Sequence, residues 1–318
     1  MKRVIQLLSV SSLMIVLACG AGAPEESGEL KTKVVATTNI VADLVRTIGG
    51  PEVDVEALMG PGIDPHLYKA SAGDVRRMST AQAIFYSGHH LEGKMSEVLE
   101  QMGQRGVRTI AVAECVPEDR LIESVDYAGL RDPHVWFDVE LWSYTVDCVT
   151  ETLADLDPDN GEAYVGRARS HVEKLQLLDR WVRQRVAALD RDQRVLVTAH
   201  DAFGYFGRAY GFEVRGLLGV STASEAGTSD VQELADFIVE RQIPAVFVET
   251  SVPPRYIQAL QEAVEARGFG VEIGGSLYSD SLGDRGTPAG TYEGTVRANV
   301  DSIVTALSRP AGRSGGEE

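Results

Sequence analysis

The sequence predicts an α/β protein in which two four-stranded parallel-sheet (β/α)4 lobes are joined by one long rigid helix. Three observations lead there. Short β-rich runs recur four times in each half, several are followed by a helical pattern, and a long apolar stripe at helical spacing lies between the halves. Strands alternating with helices give a parallel sheet covered on its faces. The 318 residues fit about two domains, and 44% hydrophobic residues suffice for packed cores.

The first segment stands apart from this pattern. Lys2 and Arg3 precede a mostly apolar run from Val4 to Leu17, followed by Ala18, Cys19 and Gly20. A basic start, a short apolar stretch and a small residue before the cut read as a secretory signal over residues 1–18. The run is too short to span a bilayer comfortably. Cys19, directly after Ala18, fits a bacterial lipobox and is the expected lipidation site, although Val16 stands where leucine is usual. Plain secretion with cleavage nearby is the competing reading. Residues 19–31, rich in small and acidic residues, read as a lipid-anchored tether.

Residues 32–156 read as the N-terminal lobe, with strand runs Lys33–Thr37, Val53–Leu58, Ala83–Ser87 and Arg108–Val112. Residues 157–190 read as the linking helix. Asp157-Pro158 is a start signal, and Tyr164, Ala168, Val172, Leu175, Leu178, Val182, Val186 and Leu189 follow at three- and four-residue spacing. About 30 helical residues extend roughly 45 Å, enough to run along both lobes. Residues 191–308 read as the C-terminal lobe, with runs Arg194–Ala199, Glu213–Leu218, Ala245–Glu249 and Gly270–Gly274. Residues 309–318 read as a frayed tail.

Composition removes several function classes. With 47 acidic against 30 basic residues the formal charge is -17, which repels nucleic acid and anionic membrane surfaces. Three cysteines without a C-x-x-C pair exclude a disulfide scaffold and a zinc ribbon. Beyond Cys19, Cys115 and Cys148 either pair in an oxidising compartment or stay as separate buried thiols.

Few residues carry chemistry. Asp64-Pro65-His66 and Asp132-Pro133-His134 repeat one tripeptide, in which proline holds the preceding Asp extended and the Asp carboxylate can accept a nearby N–H. His200 closes the run that starts at Arg194, at the carboxyl end of a strand, where ligands gather in open α/β sheets. Asp280 follows the last run. Three imidazoles and one carboxylate, two from each lobe, would make a metal site between the lobes. Their wide separations match no short metal motif, so taken singly each histidine also reads as a buried or capping residue. His171 reads as an ordinary helix residue.

Longer motifs sharpen this. Gly60-Pro61-Gly62-Ile63-Asp64-Pro65-His66-Leu67-Tyr68, Asp132-Pro133-His134-Val135-Trp136-Phe137-Asp138, and Thr198-Ala199-His200-Asp201-Ala202-Phe203-Gly204-Tyr205 stand together with Gly219–Glu225 and Ser279–Asp284. From about Lys33 to Leu307 the chain resembles the metal-binding solute receptors of bacterial ABC importers. The resemblance implies two four-stranded lobes joined by one helix, and metal ligands at His66, His134, His200 and Asp280. It further implies one divalent ion per chain, Zn2+ or Mn2+ with Fe2+ also open, carried as the transported ligand. The implied partners are an ABC permease and its ATPase. The implied setting is extracytoplasmic, a monomer without nucleic acid, touching the membrane only through its lipid anchor. Zinc-specialised relatives often carry a His- and acid-rich loop in the first lobe. Here only His89 and His90 lie between His66 and His134, and neither is read as a ligand.

Glu249, ending a strand run, reads either as a group that orients a ligand or as a surface-facing strand end. Trp136 and Tyr205 read as packing that keeps water from the site. The chain is not read as an enzyme, because four protein ligands close the metal shell and neither an H-E-x-x-H motif nor a G-x-S-x-G nucleophile elbow between a strand run and a helical pattern is present. A metal-dependent hydrolase and an adhesin or surface-interaction lipoprotein are the competing functions.

Overall fold

The computed structural model describes residues 31–124 and 129–309. The signal over 1–18, Cys19, the tether as far as residue 30 and the tail from residue 310 lie outside them. No helix among the described residues is long and apolar enough to cross a membrane.

The first half runs β1 (Thr32–Ala36), α1 (Asn39–Gly49), β2 (Val53–Ala57), α2 (Ala72–Thr80), β3 (Ala83–Tyr86), α3 (Ser96–Gln104) and β4 (Arg108–Ala111). Then come the short α4 (Val139–Trp142), α5 (Thr145–Leu156) and the long α6 (Gly161–Val186). The second half runs β5 (Val195–His200), α7 (Gly204–Tyr210), β6 (Glu213–Leu218), α8 (Thr228–Arg241), β7 (Ala245–Glu249), α9 (Arg255–Glu265), β8 (Glu272–Leu277) and α10 (Tyr292–Leu307).

All ladders are parallel. The first sheet has the order β2-β1-β3-β4, with Val34 opposite Val55 on one side and Ala83 on the other. Strand order reverses between β1 and β3, the place where parallel sheets open a crevice beyond their carboxyl ends. The central run Val34-Val35-Ala36 is buried on both faces and is therefore continuously apolar. In the second half, β5 pairs with β6 and β7 with β8, and β5 lies beside β7.

Two local expectations differ from the structure. The eighth strand begins at Glu272 and ends at Leu277, beyond the expected Gly270–Gly274. Its glycines lie inside the strand: a Cβ on Gly274 would meet the Phe247 ring, and Gly275 has φ 150° beside a register shift at Val246/Phe247. The linking helix starts later, because Pro158–Asn160 forms a 3-10 turn before α6, and Tyr164 donates its hydroxyl to Asp157 at 2.6 Å. Its 26 residues extend about 39 Å.

One apolar cluster crosses both halves. It joins Val34, Ile40, Leu44 and Phe85 to Leu175, Leu178 and Val182 of α6 and to Phe203, Phe247, Ile303 and Leu307. A smaller cluster around Met59, Met78 and Met102 fills the outer side of the first sheet, and one around Val197, Ile238 and Leu260 that of the second half. Helix α10 returns to the first half, where Tyr292 stacks on Trp142 at 5.7 Å and its backbone N–H donates to Asp43.

Cys115 and Cys148 are bonded, with Cα atoms 6.4 Å apart, so the reading as separate thiols is set aside. The bridge ties the turn after β4 to α5 across 33 residues. Closing a loop of that length removes about 4 kcal/mol of unfolded-state freedom. Replacing both cysteines with serine is expected to lower stability by about that amount, checked by urea unfolding with the native chain under oxidising conditions as reference.

Candidate metal centre

Each site side chain leaves a strand end or a stiff turn. Asp64 Oδ1 accepts the His66 N–H at 2.8 Å, and its other oxygen accepts the Thr222 hydroxyl at 2.6 Å, which ties the turn to the second half. The second Asp-Pro-His repeats the same turn: Asp132 Oδ1 accepts the His134 N–H at 2.9 Å. It also lies 2.7 Å from His134 Nδ1, which fixes that nitrogen as a donor. Tyr205 anchors the turn by donating to the Asp132 carbonyl at 2.9 Å. His200 is the last residue of β5; Glu249, at the end of the neighbouring β7, accepts its backbone N–H at 2.8 Å and lies 2.5 Å from its Nδ1. Asp280 follows β8, and its segment is held by Trp136, whose indole N–H donates to the Ser279 carbonyl at 3.0 Å. Asn39 clamps the same loop, accepting from Leu282 N at 2.9 Å and donating to Leu282 O at 3.0 Å.

These turns bring His66, His134, His200 and Asp280 together. One ligand atom from each lies within 4.8 Å of all the others. The three rings pack at 5.3 to 5.8 Å between centroids, His200 edge to face with the other two and His66 tilted against His134. His134 and His200 are fully buried, and Asp280 and His66 are 1% and 4% exposed. The Nε2 atoms of His134 and His200 each stand 3.4 Å from an Asp280 oxygen, and that of His66 stands 3.9 Å away. These contacts lack hydrogen-bond geometry, so all three Nε2 atoms and Asp280 Oδ1 are buried polar atoms with no hydrogen-bond partner among the described residues. A buried group left that way costs about 1–3 kcal/mol. Four in one cavity point to a common occupant, and three nitrogens with a carboxylate form a donor set for a first-row divalent metal ion.

The electrostatics separate the three imidazoles. Burial lowers His66 to a pKa of about 3, helped by the other two rings and only partly opposed by Asp280. Burial also resists charge on His134, but Asp132 and then Asp280 overcome it and raise the ring to about 9. Glu249 and Asp280 likewise outweigh burial at His200 and raise it well above the ordinary imidazole value. For Asp280 burial is outweighed by His200 and His134, so its carboxyl lies well below the usual range.

Glu249 is 4% exposed, so its reading as a surface-facing strand end is overturned: its carboxylate turns inward because His200 offers it two N–H groups. The sequence reading missed the ring contact of Asp132, for which the repeated tripeptide was the available signal. Thr222 stood in the Gly219–Glu225 motif without a role assigned, and Asn39 and Ser251, whose hydroxyl lies 3.4 Å from Asp280, carried no such signal. His171 is in α6, outside the cluster.

The family described as ZnuA, zinc-uptake complex component A, periplasmic, matches residues 34–306. The chain belongs to the ZnuA family. This ZnuA-family chain is 50% identical over 289 residues to the zinc-binding protein TroA of Treponema pallidum, covering 91% of this chain and 92% of TroA. It is 47% identical over 289 residues to the manganese-binding lipoprotein MntA of Bacillus subtilis, covering 91% and 94% of the two. The solved structure of the Treponema pallidum periplasmic zinc-binding protein TroA superposes with a TM-score of 0.85, over 88% of this chain and all of that one.

One glycine of this ZnuA-family chain governs the placement of His200. A Cβ on Gly216 of β6 would come within 2.6 Å of the His200 carbonyl carbon. Gly216→Ala is expected to destabilise by about 1–3 kcal/mol through that backbone clash. Gly166→Ala, in open space on α6, is expected to be neutral or stabilising by up to about 1 kcal/mol. Thermal unfolding of the two variants side by side checks the contrast.

Proposed function

We propose that this chain is an extracytoplasmic receptor that binds one divalent metal ion, zinc or manganese, and delivers it to the permease and ATPase of an ABC importer. The observation that carries this reading is the buried, partnerless set of His66 Nε2, His134 Nε2, His200 Nε2 and Asp280 Oδ1. These four are the proposed ligands, and the ion is cargo. Relatives named for zinc and for manganese support the reading. Three imidazoles with one carboxylate oxygen suit tetrahedral Zn2+, while a second Asp280 oxygen adds a hard donor that admits Mn2+ or Fe2+. A closed shell of protein ligands suits holding and release better than hydrolysis, which needs an open coordination position.

Around the ligands, Asp132 and Glu249 act as positioning residues. Each accepts an Nδ1–H, so that the Nε2 lone pair faces the ion. The proposed lobes, 32–156 and 191–308, adjust around it on either side of the helix within 157–190, which limits hinge motion. Acylation at Cys19 keeps the receptor at the membrane near its permease, and acylated or not it acts as a monomer.

Glu249→Gln is expected to weaken metal binding about 10–100-fold. Alanine at His66, His134, His200 or Asp280 should cost more, each with the fold intact by circular dichroism. Unchanged calorimetric affinity in all four would reject the assignment.

Protons supply an independent check. His66 is neutral at physiological pH, whereas Asp132, Glu249 and Asp280 favour the protonated rings of His134 and His200 in the metal-free chain. Metal uptake by chelator-stripped protein at pH 7 should therefore release about two protons per ion, and affinity should fall as pH drops from about 8 to 6. Calorimetry in buffers of different ionisation enthalpy reads both. Uptake without proton release and with flat affinity would contradict the imidazole shell.

A further inference from the structure

The turn after β3 is built against its own sequence. Leu91 donates its N–H to the Gly88 carbonyl at 3.0 Å, and the two residues between, His89 and His90, have φ of 48° and 63°. That is the pattern of a type I′ turn, which selects Asn-Gly or Asp-Gly because both central residues need positive φ. Consecutive histidines are a poor choice for it. The turn is held regardless by Glu92, whose buried carboxylate accepts the Ser87 N–H at 2.7 Å and the Thr37 hydroxyl at 2.6 Å, while Leu91 is fully buried. Non-glycine residues kept at positive φ by their surroundings concentrate at functional sites.

The location points the same way. The turn sits at the carboxyl end of β3, beside the strand-order reversal between β1 and β3. His89 and His90 line two pockets at once. The outer one, about 490 Å3, also carries Glu100 and Glu114; the inner one, about 200 Å3, reaches His66. Ser124, 9% exposed, lines the inner pocket and its buried hydroxyl has no hydrogen-bond partner among the described residues. Arg131 borders both pockets, but its guanidinium is paired with Glu118 and Glu123. His89 donates Nε2–H to the Ala113 carbonyl at 3.2 Å, which leaves Nδ1 as a bare acceptor, and His90 is exposed.

We infer that His89 and His90 form a transfer site for the divalent cation, a two-imidazole station on the wall between the acidic outer pocket and the small pocket over His66. This rests on the receptor reading, since the ion it passes inward is the cargo proposed for the inner ligands. Two nitrogens hold a divalent ion weakly enough to release it toward four. The station lowers the barrier in both directions.

The test pairs His89→Asn with His90→Gly, which gives the turn the residues it selects, so the fold should hold and Tm should not fall. Stopped-flow Zn2+ uptake by this double variant should slow about tenfold, with Zn2+ dissociation slowed alongside. Unchanged uptake overturns the inference, and so does faster dissociation, which would make these histidines ligands of the stored ion. In a second arm, sub-stoichiometric Mn2+ is added to Zn2+-saturated native protein and the imidazole resonances are followed by NMR. Broadening of His89 and His90 ahead of His171 supports the station, and broadening without that order overturns it. A native chain that takes up no Zn2+ would reject the receptor reading by itself, while the Mn2+ arm still decides for or against the turn.

Discussion

Four polar atoms are buried at one point with no hydrogen-bond partner among the described residues, and the surrounding structure is organised around that cost. Three imidazole nitrogens and a carboxylate oxygen meet within 4.8 Å. Left to themselves, the rings would turn away and the carboxylate would seek water, because burying unpaired polar groups is unfavourable. The fold prevents both. Asp132 and Glu249 grip the far side of two rings, Asp64 grips the turn of the third, and Trp136 and Asn39 hold the loop that carries Asp280.

Those restraints are useful only if the two halves keep a fixed relation, and the apolar core supplies it. A cluster runs from β1 and α1 through α6 to α10 and is shared by both halves. The longest and the last of the described helices both belong to it. Polar links across the site add direction to this apolar base: Thr222 to Asp64, Leu282 to Asn39, and Tyr292 to Asp43 and to the Trp136 carbonyl. Such a base suits a binder that adjusts its loops around a small ion more than one that swings wide.

Much of this was legible in the sequence because it depends on local pattern. Seven of the eight strand runs fall within about a residue of the observed strands at each end, since alternating or continuous apolar runs bounded by turns are a short-range signal. The eighth was displaced because Gly274 and Gly275, read as a strand end, pack inside the strand against Phe247 and Ser302. His66, His134, His200 and Asp280 stood out through a repeated tripeptide and two strand ends. Their convergence was not visible in spacing, because it depends on how two sheets face each other. The same holds for Asn39 and Ser251: nothing local marks a side chain whose partner lies 243 or 29 residues away. The pairing of Cys115 with Cys148 was open for that reason, as was the inward turn of Glu249.

The account stands or falls on the composition of one coordination shell. X-ray absorption spectroscopy of the Zn2+-loaded chain measures it directly. Three imidazole nitrogens with the multiple-scattering signature of histidine, plus one or two carboxylate oxygens, all at about 2.0–2.2 Å, are expected. A shell containing sulfur, or one dominated by water with fewer than three imidazoles, would contradict it.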